Sequence, residues 1–444
     1  MTTSRRCLVT GATGYVGGRL APRLLARGHR VRALARTPSK LDEAPWLADD
    51  RAEVAKGDLS DRDSLRAAFA DVDVVYHLVH SMSGAADFAE EERQSAHNVA
   101  TAAREAGVSR LVYLGGLHPE GADLSEHLAS RAEVGDILLG SGVETIALQA
   151  GVLIGSGSAS FELIRHLTER LPVMTTPRWV HNEIQPIAVA DALHYLVEAA
   201  TAPVSENRTW DIGGPDVLEY GDMMHTYAEV AGLPRRRMIV LPWLTPTVAS
   251  RWVRTVTPIR GGIAGPLIES LECDAVCRDR DIDTIIDRPD GGLTSYRDAL
   301  AQTLQRVRDG DDTDDWSNAS ADVPAYEPLP TDPEWAGETT FERMRTEQLA
   351  DDPDTVWARL LHEPGSWEVV ESDPPHRLRL RSDRVAPGTA FIEYRLVSAT
   401  SESHGTWLST RTQFYPRGLV GLLFWKVGTP LRTLRFPPAD PFHR

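Results

Sequence analysis

Cysteine is scarce in this chain. Cys7, Cys273 and Cys277 are too few for a disulfide framework, and the last two stand at a spacing that zinc sites do not use. They fit ordinary thiols in a reducing cytoplasm. Positive charge is also in deficit. With 64 acidic against 47 basic residues the net charge is −17, which argues against general nucleic-acid binding because that needs a basic face. No apolar run approaches the ~20 residues of a membrane span. The apolar stretch behind Arg5-Arg6 turns at Gly11, too soon for a signal peptide. What remains is ordinary globular composition, 42% apolar and 25% charged over 444 residues. That length predicts about two or three domains.

The most informative stretch is the opening, Arg6-Cys7-Leu8-Val9-Thr10-Gly11-Ala12-Thr13-Gly14-Tyr15-Val16-Gly17. A short apolar run ends in three glycines, and an amphipathic pattern follows at once. That order predicts strand, tight turn and helix start. Gly11 would permit the turn, Gly14 would let the backbone approach a pyrophosphate, and Gly17 would let helix and strand pack closely. The free N–H groups of the helix start suit phosphate. Thr10, Gly11, Thr13, Gly14, Tyr15, Val16 and Gly17 are therefore candidate dinucleotide-binding residues. A glycine-rich turn without a ligand is the plainer alternative.

A second strand is predicted over 30–36. An NAD-selective site places Asp or Glu at this strand's end to hold the ribose 2′-hydroxyl. Here Arg36 stands there, followed by Thr37, Ser39 and Lys40, with no acid before Asp42. Arg36 and Lys40 suit a 2′-phosphate, so the expected cofactor is NADP rather than NAD; a solvated strand end is the alternative for Arg36. A third strand over 52–59 ends in Asp58 and Leu59, placed to border an adenine, although Asp58 reads equally well as a turn residue. A helix over 61–69 has Ser60 or Asp61 as its cap. The fourth strand, 72–80, is apolar and β-branched, and it ends at His80 and Ser81 beside the expected nicotinamide. A helix over 88–106 and a fifth strand over 110–116 follow. Later segments continue the alternation: strand 144–153, helices 158–170 and 187–200, strand and turn 210–215, helix 220–231. Such a rhythm predicts an α/β fold with a doubly wound parallel sheet.

In Thr10-Gly11-x-x-Gly14-x-x-Gly17, Gly57-Asp58-Leu59, Gln185-Pro186-Ile187 and Trp210-Asp211-Ile212-Gly213-Gly214-Pro215 the chain resembles the extended and atypical short-chain dehydrogenase/reductases. Ser125-Glu126-His127-Leu128-x-Ser130-Arg131, Gly155-Ser156-Gly157-Ser158 and Pro177-Arg178-Trp179-Val180 look like the atypical subgroup that carries a DUF2867-type C-terminal region. The resemblance covers 5–305 and implies an NADP-dependent oxidoreductase acting on a small or quinone-like carbonyl compound. An NmrA-like NADP(H) sensor without turnover is the alternative.

Enzymes of this family usually work through Tyr-x-x-x-Lys and a Ser or Thr at the end of the fifth strand. The only lysines here are Lys40, Lys56 and Lys426, and none follows a tyrosine by four residues. His127 and Arg131 occupy the aligned positions, and Gly115-Gly116 replaces the hydroxyl. Arg131 can hold a ribose but cannot shuttle a proton. His127 is the candidate general acid near neutral pH, or else a surface or helix-capping histidine. Ser130 and Tyr113 are lesser candidates, Tyr113 reading better as core. His77 and His80 flank the cofactor edge without the carboxylate or cysteine company of a metal site, so no metal is expected.

Beyond Leu233 the chain is proline-punctuated, with an apolar helix around 248–256 and a capped helix over 293–307. Arg235-Arg236-Arg237 suits a solvated turn or an anionic partner. The acidic, proline-bearing stretch 309–335 reads as a linker between a first domain, 1–308, and a second, 336–444, with Trp316, Tyr326 and Trp335 as possible surface anchors. In the second domain a helix is expected over 354–361 and antiparallel strands over 366–370, 377–381, 390–397 and 406–414. An apolar helix over 417–425 follows, to pack, form a homodimer face or touch a membrane. Leu378-Arg379-Leu380-Arg381 and Phe414-x-Pro416-Arg417-Gly418-Leu419 resemble the DUF2867 region, which implies a START- or cyclase-like α+β fold. It looks shortened between Trp335 and Trp367.

Overall fold

The computed structural model describes residues 4–80, 88–119, 121, 124–241, 253, 257–258, 261–309, 325, 329–333, 339–362, 367–398 and 405–431. They fall into two compact units. The first comprises 1–167, 173–303 and 312–337, and the second 168–172, 304–311 and 338–444.

The first unit opens with β1 (Arg6–Thr10), α1 (Tyr15–Ala26), β2 (Arg30–Ala35), β3 (Ala52–Lys56) and α2 (Arg62–Ala68). β4 (Val74–His77), α3 (Phe88–Ala106), β5 (Arg110–Gly116), α4 (Glu126–Leu139) and β6 (Glu144–Ala150) follow. Next come β7 (Leu153–Ile154), α5 (Ala159–Arg170), β8 (Val173–Thr176), β9 (Glu183–Ile184), β10 (Ile187–Ala188) and α6 (Val189–Glu198). The remainder is β11 (Arg208–Ile212), β12 (Leu218–Glu219), α7 (Tyr220–Val230), β13 (Arg237–Val240), α8 (Gly261–Ser270) and, as far as Thr303, α9 (Tyr296–Asp309).

Seven strands make one sheet in the order β11-β6-β5-β4-β1-β2-β3, and every neighbouring pair is parallel. The order reverses between β1 and β4, so the crevice at their carboxyl ends is the switch point where doubly wound sheets bind ligands. Period-two alternation feeds both faces. Val9, Val74, Tyr76 and Val112 join Leu20 and Leu24 of α1 and Leu193 of α6 on one side. Leu8, Val75, Leu111 and Tyr113 join α2, α3 and α4 on the other.

Several boundaries differ from the sequence reading. The fourth strand ends at His77 rather than 80, since the next amide, Leu78 N, leaves the ladder to donate to Thr10 Oγ1 at 3.1 Å. The stretch 144–153 is not one strand. It breaks at Gly151, which lies close under the Gln185 carbonyl, and Leu153–Ile154 pairs with β10 instead. Ile187 and Ala188 therefore belong to β10, and the helix begins at Val189. The helix expected around 248–256 lies outside the described residues except for buried Val253. Of the stretch read as a linker, Ala325 and Leu329 are buried in the first unit. Trp316, Tyr326 and Trp335 lie outside the described residues.

The second unit holds β14 (Phe341–Leu349), α10 (Pro353–His362), β15 (Glu368–Asp373), β16 (Arg377–Ala386), β17 (Gly388–Ser398), β18 (Thr406–Pro416) and α11 (Gly418–Leu431). Its strands form an antiparallel sheet in the order β14-β18-β17-β16-β15. Leu378, Leu380, Ile392, Leu396 and Phe414 pack with Val356, Trp357 and Leu360 of α10. β14 falls in the stretch that looked shortened. As an edge strand it pairs only with β18, and its run Phe-Glu-Arg-Met-Arg-Thr-Glu-Gln-Leu carries little apolar alternation.

Candidate functional site

The site begins at the turn between β1 and α1. Gly11 has φ +71°, a left-handed conformation that β-carbons disfavour, and Gly14 N donates to Gly11 O at 2.8 Å to close the turn. A Cβ at Gly17 would lie 2.3 Å from the Gly11 carbonyl oxygen, so only glycine lets α1 start this close to β1. The N-cap, Gly14, supplies no side-chain hydrogen bond and the first turn holds no acid. By contrast α2 is capped by Asp61 and α4 by Ser125. The first N–H groups of α1 thus face the crevice with no capping side chain, which is the arrangement a pyrophosphate needs.

Around this turn the predicted residues take different parts. Thr10 is fully buried, and its hydroxyl donates to Tyr76 O at 3.0 Å and accepts from Leu78 N, fastening β4 to β1. Thr13 and Val16 are half-buried and Gly14 is exposed. The Tyr15 ring turns inward: its hydroxyl is buried, and a Cβ at Gly155 would sit 2.4 Å from it. Arg36, just past β2, and Lys40 are exposed. Asp58 accepts from Ser60 N at 2.9 Å and Ser60 Oγ at 2.8 Å; these bonds, with a smaller pull from Arg36, hold its carboxyl below the usual range. Leu59 is tied by its carbonyl to Asn98 Nδ2 at 2.8 Å. Ser81 lies outside the described residues.

The second half of the site joins the ends of β4 and β5 to α4. The His77 ring stacks on Tyr113 at 5.9 Å, the His80 ring meets Tyr113 edge-on at 6.4 Å, and His127 lies 6.3 Å from Phe88. All three histidines are held neutral at pH 7. Burial lowers His77 to about 4. Burial and then the Arg131 charge lower His127 to about 3, and the same two causes come first in lowering His80.

His127, the candidate general acid, is thus neutral near pH 7 in this setting. It is neither a surface residue nor a cap, being 3% exposed, while Ser125 Oγ accepts from Leu128 N to cap the helix. Tyr113 is core, its hydroxyl donating to Arg131 O at 3.0 Å. Its ring also fills the space a side chain at 115 would need, since a Cβ at Gly115 would lie 2.9 Å from it. Ser130 donates to buried Glu92 at 2.6 Å. Three buried nitrogens remain without partners here: His77 Nδ1, His127 Nδ1 and Arg131 Nε. Unpaired buried polar atoms are costly, so each of these is open to a polar partner that a ligand could supply.

Sequence reasoning missed α8. This helix packs against α4, and its Leu267 and Leu271 close a small apolar cavity of about 20 Å³ lined also by Val152, Leu163, Trp179 and Tyr220. Its glycine-rich start hides the periodicity. No group of acidic, histidine or cysteine side chains among the described residues could hold a metal.

Residues 11–153 match the family model described as NAD(P)H-binding. The chain is 28% identical over 344 residues to a 3 beta-hydroxysteroid dehydrogenase/Delta 5-->4-isomerase of Mycobacterium tuberculosis, covering 67% of this chain and 89% of that protein. Among solved structures it is similar to triphenylmethane reductase of Citrobacter sp. complexed with NADP(H), with a TM-score of 0.53 at 20% identity, over 67% of this chain and 100% of that one. An NADPH-dependent quinone oxidoreductase of Escherichia coli gives a TM-score of 0.53 at 18% identity, over 67% and 99%. The fold and the glycine turn thus define a nicotinamide-dinucleotide-binding domain. The chain is similar to NAD(P)-binding dehydrogenases and reductases over its first two thirds.

Proposed function

We propose that the protein is an NADP-dependent oxidoreductase that reduces a small, quinone-like carbonyl compound without a Tyr/Lys pair. The observation that carries this reading is Arg131, a fixed cation with a buried, unpartnered Nε at the cofactor edge. NADPH, when bound, supplies a hydride. The glycine turn with Thr13, Tyr15 and Val16 at the start of α1 holds the pyrophosphate through backbone N–H groups. Arg36 and Lys40 take the 2′-phosphate, where a carboxylate would repel it. Asp58 and Leu59 border the adenine, and His80 and Ser81 the nicotinamide.

The Arg131 guanidinium stabilises negative charge growing on an acceptor oxygen without serving as a proton donor. That suits a quinone. Its reduction leaves a delocalised aryloxide that water protonates afterwards, whereas a simple ketone leaves a strongly basic alkoxide that needs an acid in place. Neutral His127 positions the acceptor by a hydrogen bond. The names of the relatives, a quinone oxidoreductase and a steroid dehydrogenase among them, support a ring-bearing carbonyl or alcohol partner. In this reading 1–308 is the catalytic part and 336–444 a DUF2867-like α+β domain.

The same lack of an available acid, with Tyr113 committed and His127 neutral, favours a second reading: an NADP(H) sensor of NmrA-like type. NADPH oxidation against a panel of quinones, aldehydes and ketones separates the two. Quinone turnover that falls in Arg131→Ala supports the enzyme. Absence of turnover on every acceptor, with NADPH bound, establishes the sensor.

A further inference from the structure

The outer side of β14 is open. Its nine residues pair with β18 in one unbroken register, from Phe341 opposite Phe414 to Leu349 opposite Thr406. Among the described residues no strand pairs with its other edge. That edge presents a row of backbone N–H and C=O groups, a template for one more strand. Glu342, Arg343, Met344, Arg345 and Thr346 are all exposed, Met344 to 66%. Neither a proline nor a bulge interrupts the strand.

The opposite edge of the same sheet is guarded. β15 slips register between Val369 and Glu371, and it carries Glu368, Glu371 and Asp373 with no cation. A second β15 laid against it would meet a bulge and three carboxylates. Charge usually guards an edge in this way, but on β14 it is arranged differently. Glu342, Arg343, Arg345 and Glu347 sum to zero, and Arg343 and Glu347 stand two residues to either side of Arg345.

That symmetry makes the strand complementary to itself. In an antiparallel pairing of two β14 strands centred on Arg345, Arg343 lies opposite the partner's Glu347, and the pair occurs twice. Phe341 likewise lies opposite the partner's Leu349. Met344 lies opposite the partner's Thr346 and diagonal to the partner's Met344, within reach of a long side chain. Arg343 pairs with no carboxylate of its own chain among the described residues. Arg345 meets its own copy, but each is held by Glu347 of its own strand at 2.8 Å.

We propose that β14 joins a second copy of this chain edge to edge, so that two five-stranded sheets become one antiparallel sheet across a two-fold axis. Backbone hydrogen bonds supply the affinity, and the Arg343–Glu347 pairs fix the register. The contact is one strand wide, so the dimer is reversible and depends on concentration.

The test is sedimentation velocity of the full chain over a concentration series. The weight-average mass should rise with concentration through a monomer–dimer step. Arg343→Glu and Glu347→Arg each turn two attractive cross-strand pairs into repulsive ones, and each should raise the dissociation constant of that step about tenfold or more. Mixed in equal amounts, the two variants should associate again, since Glu at 343 of one then faces Arg at 347 of the other. Circular dichroism of each variant should match the parent's, because the changes lie on a sheet edge. No concentration-dependent step overturns the proposal, as does a step that neither variant weakens. A mixture that associates no better than the separate variants overturns it too.

Discussion

The Arg19 guanidinium holds the Asp332 carboxylate through two hydrogen bonds, Nη1 to Oδ1 at 2.9 Å and Nη2 to Oδ2 at 2.6 Å, with the side chains 2% and 5% exposed. Both partners lie in the first unit, although 313 residues separate them. Arg19 Nε also donates to Ala325 O at 2.8 Å, Nη1 donates to Tyr15 O at 3.0 Å, and the guanidinium lies 4.2 Å from the Tyr15 ring centroid. The network therefore ends on the first turn of α1. Breaking one side of such a buried pair typically costs about 3–5 kcal/mol. Asp332→Asn should destabilise the first unit by that order, read as a lower urea midpoint at unchanged m, and weaken NADPH binding with it. An unchanged midpoint would show that this contact contributes nothing.

Gly17 is a sharper probe of the phosphate turn. Gly17→Ala places a methyl 2.3 Å from the Gly11 carbonyl oxygen, which forces α1 away from β1. Overpacking of this kind costs roughly 1–3 kcal/mol. The fold should survive by circular dichroism while dinucleotide affinity drops. Wild-type affinity in this variant would contradict the geometry.

The buried histidines predict a pH dependence of stability. His77 at about 4 and His127 at about 3 stay neutral in the folded chain, whereas both take up protons near 6.5 when unfolded. Between those values the unfolded state binds more protons, so stability rises with pH and levels off above about 6.5. Each histidine contributes a slope of up to about 1.4 kcal/mol per pH unit in that window. His127→Gln should flatten the denaturation midpoint between pH 4 and pH 6.5, against the unfolded reference of 6.5 and the folded value of about 3. An unaltered slope would mean that His127 titrates normally.

Tyr113 should be dispensable for chemistry. Tyr113→Phe removes the 3.0 Å bond to the Arg131 carbonyl, a loss of about 0.5–1.5 kcal/mol in stability. Any quinone turnover should stay within a few-fold of wild type. A collapse of turnover with an intact fold would make this tyrosine the proton donor.

Much of the nucleotide half was legible because its physics is local. The glycine turn, the uncapped start of α1 and the strands feeding two cores are written in contiguous residues, from Cys7 to Gly17 and at Val74 to His77. The chemistry around Arg131 was less legible, since the state of His127 depends on burial and on a charge one helical turn away, neither of which a pattern reveals. β14 was missed because an edge strand needs no apolar alternation. The docking of 329–333 on α1 rests on Arg19 meeting Asp332, a pairing between distant residues that no local rule anticipates.

The most direct test of the account is titration of the protein with NADPH and NADH, followed through tryptophan fluorescence. The account predicts saturable NADPH binding, weaker NADH binding, and loss of that preference in Arg36→Ala. Failure of both dinucleotides to bind would contradict it, as would NADH binding more tightly than NADPH.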